Sequence, residues 1–422
     1  TSTLSFRRET IQSKIMNRNL LFCVVVLFVG LASSKHWGLP ENFDARTAWP
    51  GCATTILDQA SCGGCWAFCS TGAFADRLCV EGYVEPEIDI SPQVLLNCAK
   101  YSCSGGTPHV GWEYLIDNGD TTCTNECSEG CAPFTSSKGQ TSTCSSTCVD
   151  GEKYPATYRA SYFRYMNTTN GDYYLRTIQQ NLLDSGPMGA SFNVYKNFHT
   201  HFQKTPKAIY NETSGTLGGR HCVKLVGWGY DEETRQDYWT FANSWGSKWG
   251  DGGFFKMAAG INLAGIEEKF SEGYPRKIYV HHNDNNHDDN HGNNGNNGNH
   301  GNNGNNGNHG NSGNHGNNGH HHRRDVADPV VIDEQDPGSI VTDDREDGGW
   351  LEQLDLTSRE HQEITLKAVK LHFGPTFDGE FKLLRAQTQV VSGLRYELSV
   401  LVNGKTISLS LWHNAHGKFS LL

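Results

Sequence analysis

Apart from one leader-like segment, the chain has no run approaching the roughly 20 apolar residues that a membrane-spanning helix needs. It carries no Walker-type phosphate loop and no Cys/His set at zinc-ligand spacing, so neither a nucleotide-driven reaction nor a resident metal is expected, and no cofactor is implied. Basic residues are also in deficit: 35 Lys and Arg against 46 Asp and Glu leave a net charge of −11, which disfavours nucleic acid as a partner.

Cysteine, in contrast, is plentiful. Fourteen are present, most of them before residue 150, too many for a reduced cytosolic enzyme of this size and suited to an oxidising compartment. Two lie three residues apart in Gln59-Ala60-Ser61-Cys62-Gly63-Gly64-Cys65-Trp66. A thiol attacks a carbonyl as the thiolate, and both a helix N-terminus and a nearby imidazolium lower its pKa. Cys65 follows a Gly-Gly turn and opens a proline-free stretch with Cys69, Gly72 and Ala73 at helical spacing, so it is placed for the first effect. Downstream, His221 lies in Gly218-Gly219-Arg220-His221-Cys222 and Asn243 in Phe241-Ala242-Asn243-Ser244-Trp245-Gly246.

These three motifs, in this order, resemble the papain family of cysteine proteases; Gly64 stands where that family has Ser or Ala. The resemblance implies a catalytic set of Cys65, His221, Asn243 and Gln59. His221 would hold Cys65 as a thiolate in an ion pair, Asn243 would orient the ring, and Trp245 would shield that bond. The Gln59 side chain and the Cys65 backbone N–H would form the oxyanion hole. Gly63, Gly105, Gly106 and Trp245 would line the substrate site. The implied fold is α+β with two lobes, a helical lobe and a β-barrel lobe, around one cleft, and the implied substrates are proteins or peptides.

Leu39-Pro40-Glu41-Asn42-Phe43-Asp44-Ala45-Arg46, Trp49-Pro50-Gly51-Cys52 and Asp76-Arg77-Leu78-Cys79 are similar to the cathepsin B branch over Leu39 to Lys277. That branch has a histidine-bearing insertion that makes it a dipeptidyl carboxypeptidase. Here the corresponding segment, about 120–148, is shorter and lacks histidine, so endopeptidase activity is expected. The acidic residue of the branch's second pocket aligns with Lys269, or with Glu268 if the register slips by one; a lysine would repel Arg and leave apolar or acidic side chains preferred. The resemblance implies bridges Cys52–Cys79, Cys62–Cys103, Cys98–Cys144 and Cys131–Cys148, with a local Cys123–Cys127; Cys69 and Cys222 stay unassigned, as a pair of buried free thiols or otherwise.

Composition divides the remaining chain. Residues 1–15 read as upstream translation and 16–34 as a signal peptide, a basic residue, an apolar run and then small residues. Peptidase is expected over 35–280, with sequons at Asn167 and Asn211, and only Lys35-His36-Trp37-Gly38 stands between leader and mature-like start, so no folded propeptide is expected there. This implies the secretory route, ending in a lysosome-like vacuole or outside the cell. Residues 281–324 repeat Asn, Gly and His and read as a disordered linker; a Gly-rich coil of this size spans about 35–40 Å, enough to return the C-terminal segment to the active site.

After an acidic connector, 325–347, residues 348–422 return to globular patterning. Leu354 to Leu371 reads as a helix capped by Thr357 or Ser358, followed by strands over Phe381–Val391, Leu394–Val402 and Thr406–Trp412, with Asn403-Gly404 as a hairpin turn. This module resembles cystatins, inhibitors of papain-like proteases, through Gln389-Val390-Val391-Ser392-Gly393 and the preceding Gly348-Gly349, with a second turn near Asn414 to Gly417 and a last strand short or absent. A cystatin-like domain implies contact with papain-like proteases, in the same chain or another, and self-restraint of this enzyme. The alternative is a secreted inhibitor or binding protein built on a catalytically silent protease scaffold.

Overall fold

The computed structural model describes residues 38–86, 88–166, 172–276 and 346–422. The proposed leader, the Asn/Gly/His tract, most of the acidic connector and the Asn167 sequon lie outside them.

The elements in chain order are β1 Phe43–Asp44, α1 Ala45–Ala48, α2 Cys65–Val80, β2 Asp89–Ile90, α3 Pro92–Cys98, α4 Pro108–Asp117, β3 Thr122–Cys123 and β4 Ala160–Met166. They continue with α5 Asp172–Ser185, β5 Met188–Tyr195, α6 Lys196–Lys204, β6 Ile209–Tyr210, β7 Leu217–Asp231, β8 Gln236–Ala242, β9 Phe254–Ala258 and β10 Phe270–Pro275. The C-terminal elements are β11 Trp350–Glu352, α7 Arg359–Phe373, β12 Phe381–Val391, β13 Gly393–Val402, β14 Lys405–Asn414 and β15 Phe419–Leu421.

One lobe is helical. α2 is buried almost all round, which its small and apolar residues allow, and it packs with α3 and α4 on a core that includes Trp66, Phe74, Leu78, Leu95, Trp112 and Leu115. Pro92 and Pro108 sit in the first turns of α3 and α4, where a missing N–H costs nothing; Ser91 Oγ caps α3 by accepting from the Gln93 N–H at 3.2 Å. The other lobe is an eight-stranded sheet, ordered β4-β10-β5-β7-β8-β9-β6 with β1 on β7, around aromatic residues such as Phe192, Phe198, Trp239 and Phe255.

Buried polar ties join α2 to the sheet. Arg77 donates to Glu272 Oε2 at 2.5 Å and to the carbonyls of Pro187 and Gly186, and Lys224 Nζ stands 2.6 Å from Asp76. Such pairs add little net stability, but removing one partner strands a buried charge. Six disulfides are present: Cys52–Cys79, Cys62–Cys103, Cys98–Cys144, Cys123–Cys127, Cys131–Cys148 and Cys69–Cys222. The last corrects the reading of Cys69 and Cys222 as unassigned: it joins α2 to β7 across 153 residues of sequence.

The C-terminal module is one helix on a five-stranded antiparallel sheet, ordered β11-β12-β13-β14-β15. α7 starts five residues later than Leu354, at Arg359, because Ser358 is the cap whose Oγ accepts from the His361 N–H at 3.2 Å. Alternation along β13 buries Leu394, Tyr396, Leu398, Val400 and Val402 against the helix and neighbouring strands. Asn403 and Gly404 turn β13 into β14 with φ of +50° and +78°, the left-handed pair that a two-residue hairpin requires. The last strand is short, three residues paired to β14.

Candidate active site

Cys65 is the first residue of α2, with Gly64 as its cap, so its sulfur lies at the positive end of a sixteen-residue helix. It is the free cysteine among the described residues and is fully buried. His221 lies on β7, beside Cys222, and is also fully buried. The Cys69–Cys222 bridge therefore ties the helix bearing the sulfur to the strand bearing the ring.

The ring of His221 is held from one side. Its Nε2 is 2.8 Å from Asn243 Oδ1, and Trp245 stacks on it with ring centroids 5.0 Å apart. Its Nδ1 has no hydrogen-bond partner. Gln59 is buried and committed: its Nε2 donates to the Cys62 carbonyl at 2.8 Å and its Oε1 accepts from Ser244 Oγ at 2.5 Å. The expected oxyanion donor thus faces a backbone carbonyl of its own loop.

Burial in this conformation works against the expected thiolate and imidazolium. Burial pushes the Cys65 thiol well up, and the nearby Asp347 carboxylate adds to the rise. Burial pulls His221 down to about 4, against a smaller opposing effect of the Asn243 hydrogen bond. Both shifts favour the uncharged forms.

The start of the C-terminal segment lies against this pair. Asp347 pairs with Gly106 through both backbone hydrogen bonds, at 2.7 and 3.1 Å, and the Gly348 N–H donates to the Arg220 carbonyl at 2.9 Å. Gly348 has φ +68° and closes a turn in which the Gly349 N–H reaches the Glu346 carbonyl at 3.2 Å. A Cβ built on Gly348 would stand 2.6 Å from the Gly63 carbonyl oxygen and 3.1 Å from Cys65 Sγ, so glycine is required both for the turn and for the close approach. Gly105 abuts Gly349 in the same way, and Gly106 lies against the Trp66 ring.

The β12–β13 hairpin lies beside this turn. Gln389 Nε2 donates to the Cys103 and Gly348 carbonyls at 2.9 and 2.8 Å, so the Gly348 carbonyl is held by Gln389 rather than by Gln59. Thr388 Oγ1 donates to the Gly218 carbonyl at 2.9 Å, and the Ser392 N–H donates to the Ala60 carbonyl at 2.8 Å. Val390 and Val391 are fully buried, Val390 facing Gly219, while Gly393 takes φ +108° to close the hairpin.

Other expected residues are more scattered. Lys269 sits just before β10 with its ammonium 4.2 Å from the centre of the Tyr165 ring, a cation–π contact. Glu267, two residues earlier, accepts from Trp239 Nε1 and from the Gly260 and Asn262 N–H groups, all at 2.7 Å, and is a structural clamp. Asn211 is exposed. Sequence reasoning missed Ser191 and gave no role to Arg220; it left Asp347 in the connector, although that residue immediately precedes Gly348-Gly349.

The papain family cysteine protease model matches residues 39–274. The chain is similar to "Cathepsin B-like cysteine proteinase 6" of Caenorhabditis elegans, 34% identical over 281 residues that cover 60% of this chain and 72% of that one. It is also similar to "Cathepsin B-like CP2" of Giardia intestinalis, 36% identical over 244 residues, 56% of this chain and 74% of the other. Among solved structures, proCathepsin B S9 from Trypanosoma congolense aligns at 30% identity and TM-score 0.49 over 57% of this chain and 79% of that one. A family match over more than half of the length, joined to the buried Cys65 and the His221–Asn243 pair, means that the chain belongs to the papain family of cysteine proteases. It is a cathepsin B-like cysteine peptidase, with the family's two-lobe architecture and a disulfide-stapled helical lobe.

Proposed function

We propose that this peptidase is an endopeptidase restrained by its own C-terminal module, residues 348–422, acting as a cystatin-like inhibitor over the peptidase body of 35–280. The observation that carries the reading is the seat of Gly348: its backbone hydrogen-bonds across the cleft, and its Cα lies where an added Cβ would be 3.1 Å from Cys65 Sγ. Asp347 and Gly348 follow the line a substrate would take, paired to Gly106 and Arg220, and the chain then turns away. With the Gly348 carbonyl donated to by Gln389, it is withheld from the oxyanion donors, so a peptide bond lies beside the sulfur without being positioned for attack.

Once the module leaves, solvent reaches the site, and Cys65 and His221 can exchange a proton to become thiolate and imidazolium at the helix N-terminus. The sulfur attacks the substrate carbonyl, His221 protonates the departing amine, and water then hydrolyses the thioester, returning its proton to the ring. Gln59 and the Cys65 N–H serve the oxyanion, Asn243 and Trp245 hold the ring, and Gly63, Gly105 and Gly106 give the substrate backbone room. The lack of histidine between 120 and 148 supports internal cleavage. Six disulfides support passage through the secretory route, to a lysosome-like vacuole or outside the cell. No helix among the described residues is long and apolar enough to cross a membrane.

The test is the alkylation of Cys65 and the hydrolysis of a peptide library by the full chain and by its Gly348→Val and Cys65→Ala variants. The reading expects slow labelling and weak hydrolysis in the wild type, acceleration of both by Gly348→Val, and neither in Cys65→Ala. Equal rates in wild type and Gly348→Val would reject the restraint. A Gly348→Val chain that is labelled but hydrolyses nothing would favour the silent-scaffold alternative.

A further inference from the structure

The side chain that precedes Gly348 enters a pocket whose chemistry is unlike a plain apolar one. Asp347 is 2% exposed, and its carboxylate is held by two groups of the peptidase: Ser191 Oγ, on β5, donates to Oδ2 at 2.5 Å, and Arg220 Nε, on β7, stands 3.3 Å from Oδ1. Ser191 and Arg220 are themselves 5% and 7% exposed, and they are diagonal neighbours on one face of the β5–β7 pair, where Ser191 is opposite Cys222 and Arg220 opposite Asn193. Tyr165 forms part of the surroundings: burial raises its hydroxyl pKa and the Asp347 charge adds to the rise, and the Lys269 ammonium lies over the Tyr165 ring.

The backbone of Asp347 is ladder-paired to Gly106, and the next N–H is bonded to the Arg220 carbonyl beside His221. A peptide laid along that path would put the residue before its reacting residue into this pocket. We propose that Arg220 and Ser191 form an acid-reading pocket, so that the peptidase prefers substrates with Asp or Glu immediately before the residue whose carbonyl is attacked. The inference rests on the reading that Asp347 and Gly348 lie along the substrate path. A guanidinium that keeps its charge at all working pH values and a hydroxyl donor suit a carboxylate; leucine forfeits both hydrogen bonds, and arginine brings a like charge into a buried place.

The experiment compares kcat/KM for otherwise identical peptides with Asp, Glu, Asn, Leu or Arg at that position, using the full chain with the turn displaced by Gly348→Val. Asp and Glu are expected to exceed Leu and Arg by roughly tenfold or more. Arg220→Gln is expected to bring the Asp-to-Leu ratio near one, Arg220→Lys to restore part of it, and Ser191→Ala to lower it by a smaller factor. The ratio within each variant is the readout, so a general loss of turnover or folded fraction does not imitate the effect. A preference for Leu or Arg, or an acidic preference that survives both Arg220→Gln and Ser191→Ala, overturns the proposal, as does a chain that cleaves none of the peptides. Failure of the restraint is seen separately: if wild type and Gly348→Val are alkylated at Cys65 equally fast, the site is already open. The same peptide profile, measured on the wild type, then decides the pocket alone.

Discussion

The two parts of the C-terminal module that enter the cleft do so by different means. The Glu346–Gly349 turn engages through backbone hydrogen bonds, a glycine at φ +68° and one buried carboxylate, and it lies against the sulfur. The Gln389–Gly393 hairpin engages through buried apolar residues and the Gln389 amide, which donates to two carbonyls, and its position is set by a sheet register that continues far from the cleft. The first is steric and charge-specific, with little tolerance for an added atom; the second spreads its energy over many groups. Damage to the turn should therefore be abrupt and damage to the hairpin graded.

The sharpest break is Gly348→Val. A Cβ has no room between the Gly63 carbonyl and Cys65, and a β-branched residue is unsuited to positive φ, so the alkylation rate of Cys65 is expected to rise at least about tenfold. Gln389→Leu removes both bonds of the amide, a loss of about 1 kcal/mol, read as a several-fold higher rate of peptide hydrolysis by the full chain. Loss of activity in either variant, with the fold intact by circular dichroism, would contradict the division.

Acid should also loosen the module. Burial, joined by the Lys367 and Lys196 charges, holds His413, on β14, near 4, below the ordinary value; His221 draws its proton from Cys65 on opening and takes none from solvent. A ring with a depressed pKa carries no penalty above its free value of about 6.5, and the closed form loses ground as pH falls from there towards 4, where an open form takes protons the closed one cannot. Cys65 alkylation, normalised to the intrinsic reactivity of the Gly348→Val chain, is expected to quicken between pH 6.5 and 4, and His413→Asn to flatten part of that slope. The smallest effect belongs to Glu360, whose bridge to Lys196 at 3.1 Å is half solvated on the lysine side. Glu360→Gln should change hydrolysis by less than about threefold, a surface pair contributing about 0.2–1 kcal/mol.

Much of this was legible in the residues because local chemistry and tertiary role agree. Cys65 at a helix start, the Asn403-Gly404 turn and the strands around Gln389 each announce themselves through spacing or turn chemistry, and β12 begins and ends where alternation and β-propensity say it should. Illegible were features that depend on what lies opposite. Cys69 and Cys222 are separated by 153 positions and meet only when α2 packs on β7. Asp347 closes an acidic stretch that reads as a solvated run until Ser191 and Arg220 surround it. The approach of Gly348 to Cys65 was hidden for the same reason, since nothing local to either residue points to the other.

The Cys69–Cys222 bridge has a mechanical consequence. Cys69 is one helical turn beyond Cys65, and Cys222 is adjacent to His221, so a covalent strut of a few bonds fastens nucleophile and base into one frame. The two walls can part at their outer rims to admit or expel a guest, but near the strut they can only pivot, so the spacing of the reacting pair is kept whichever guest is present.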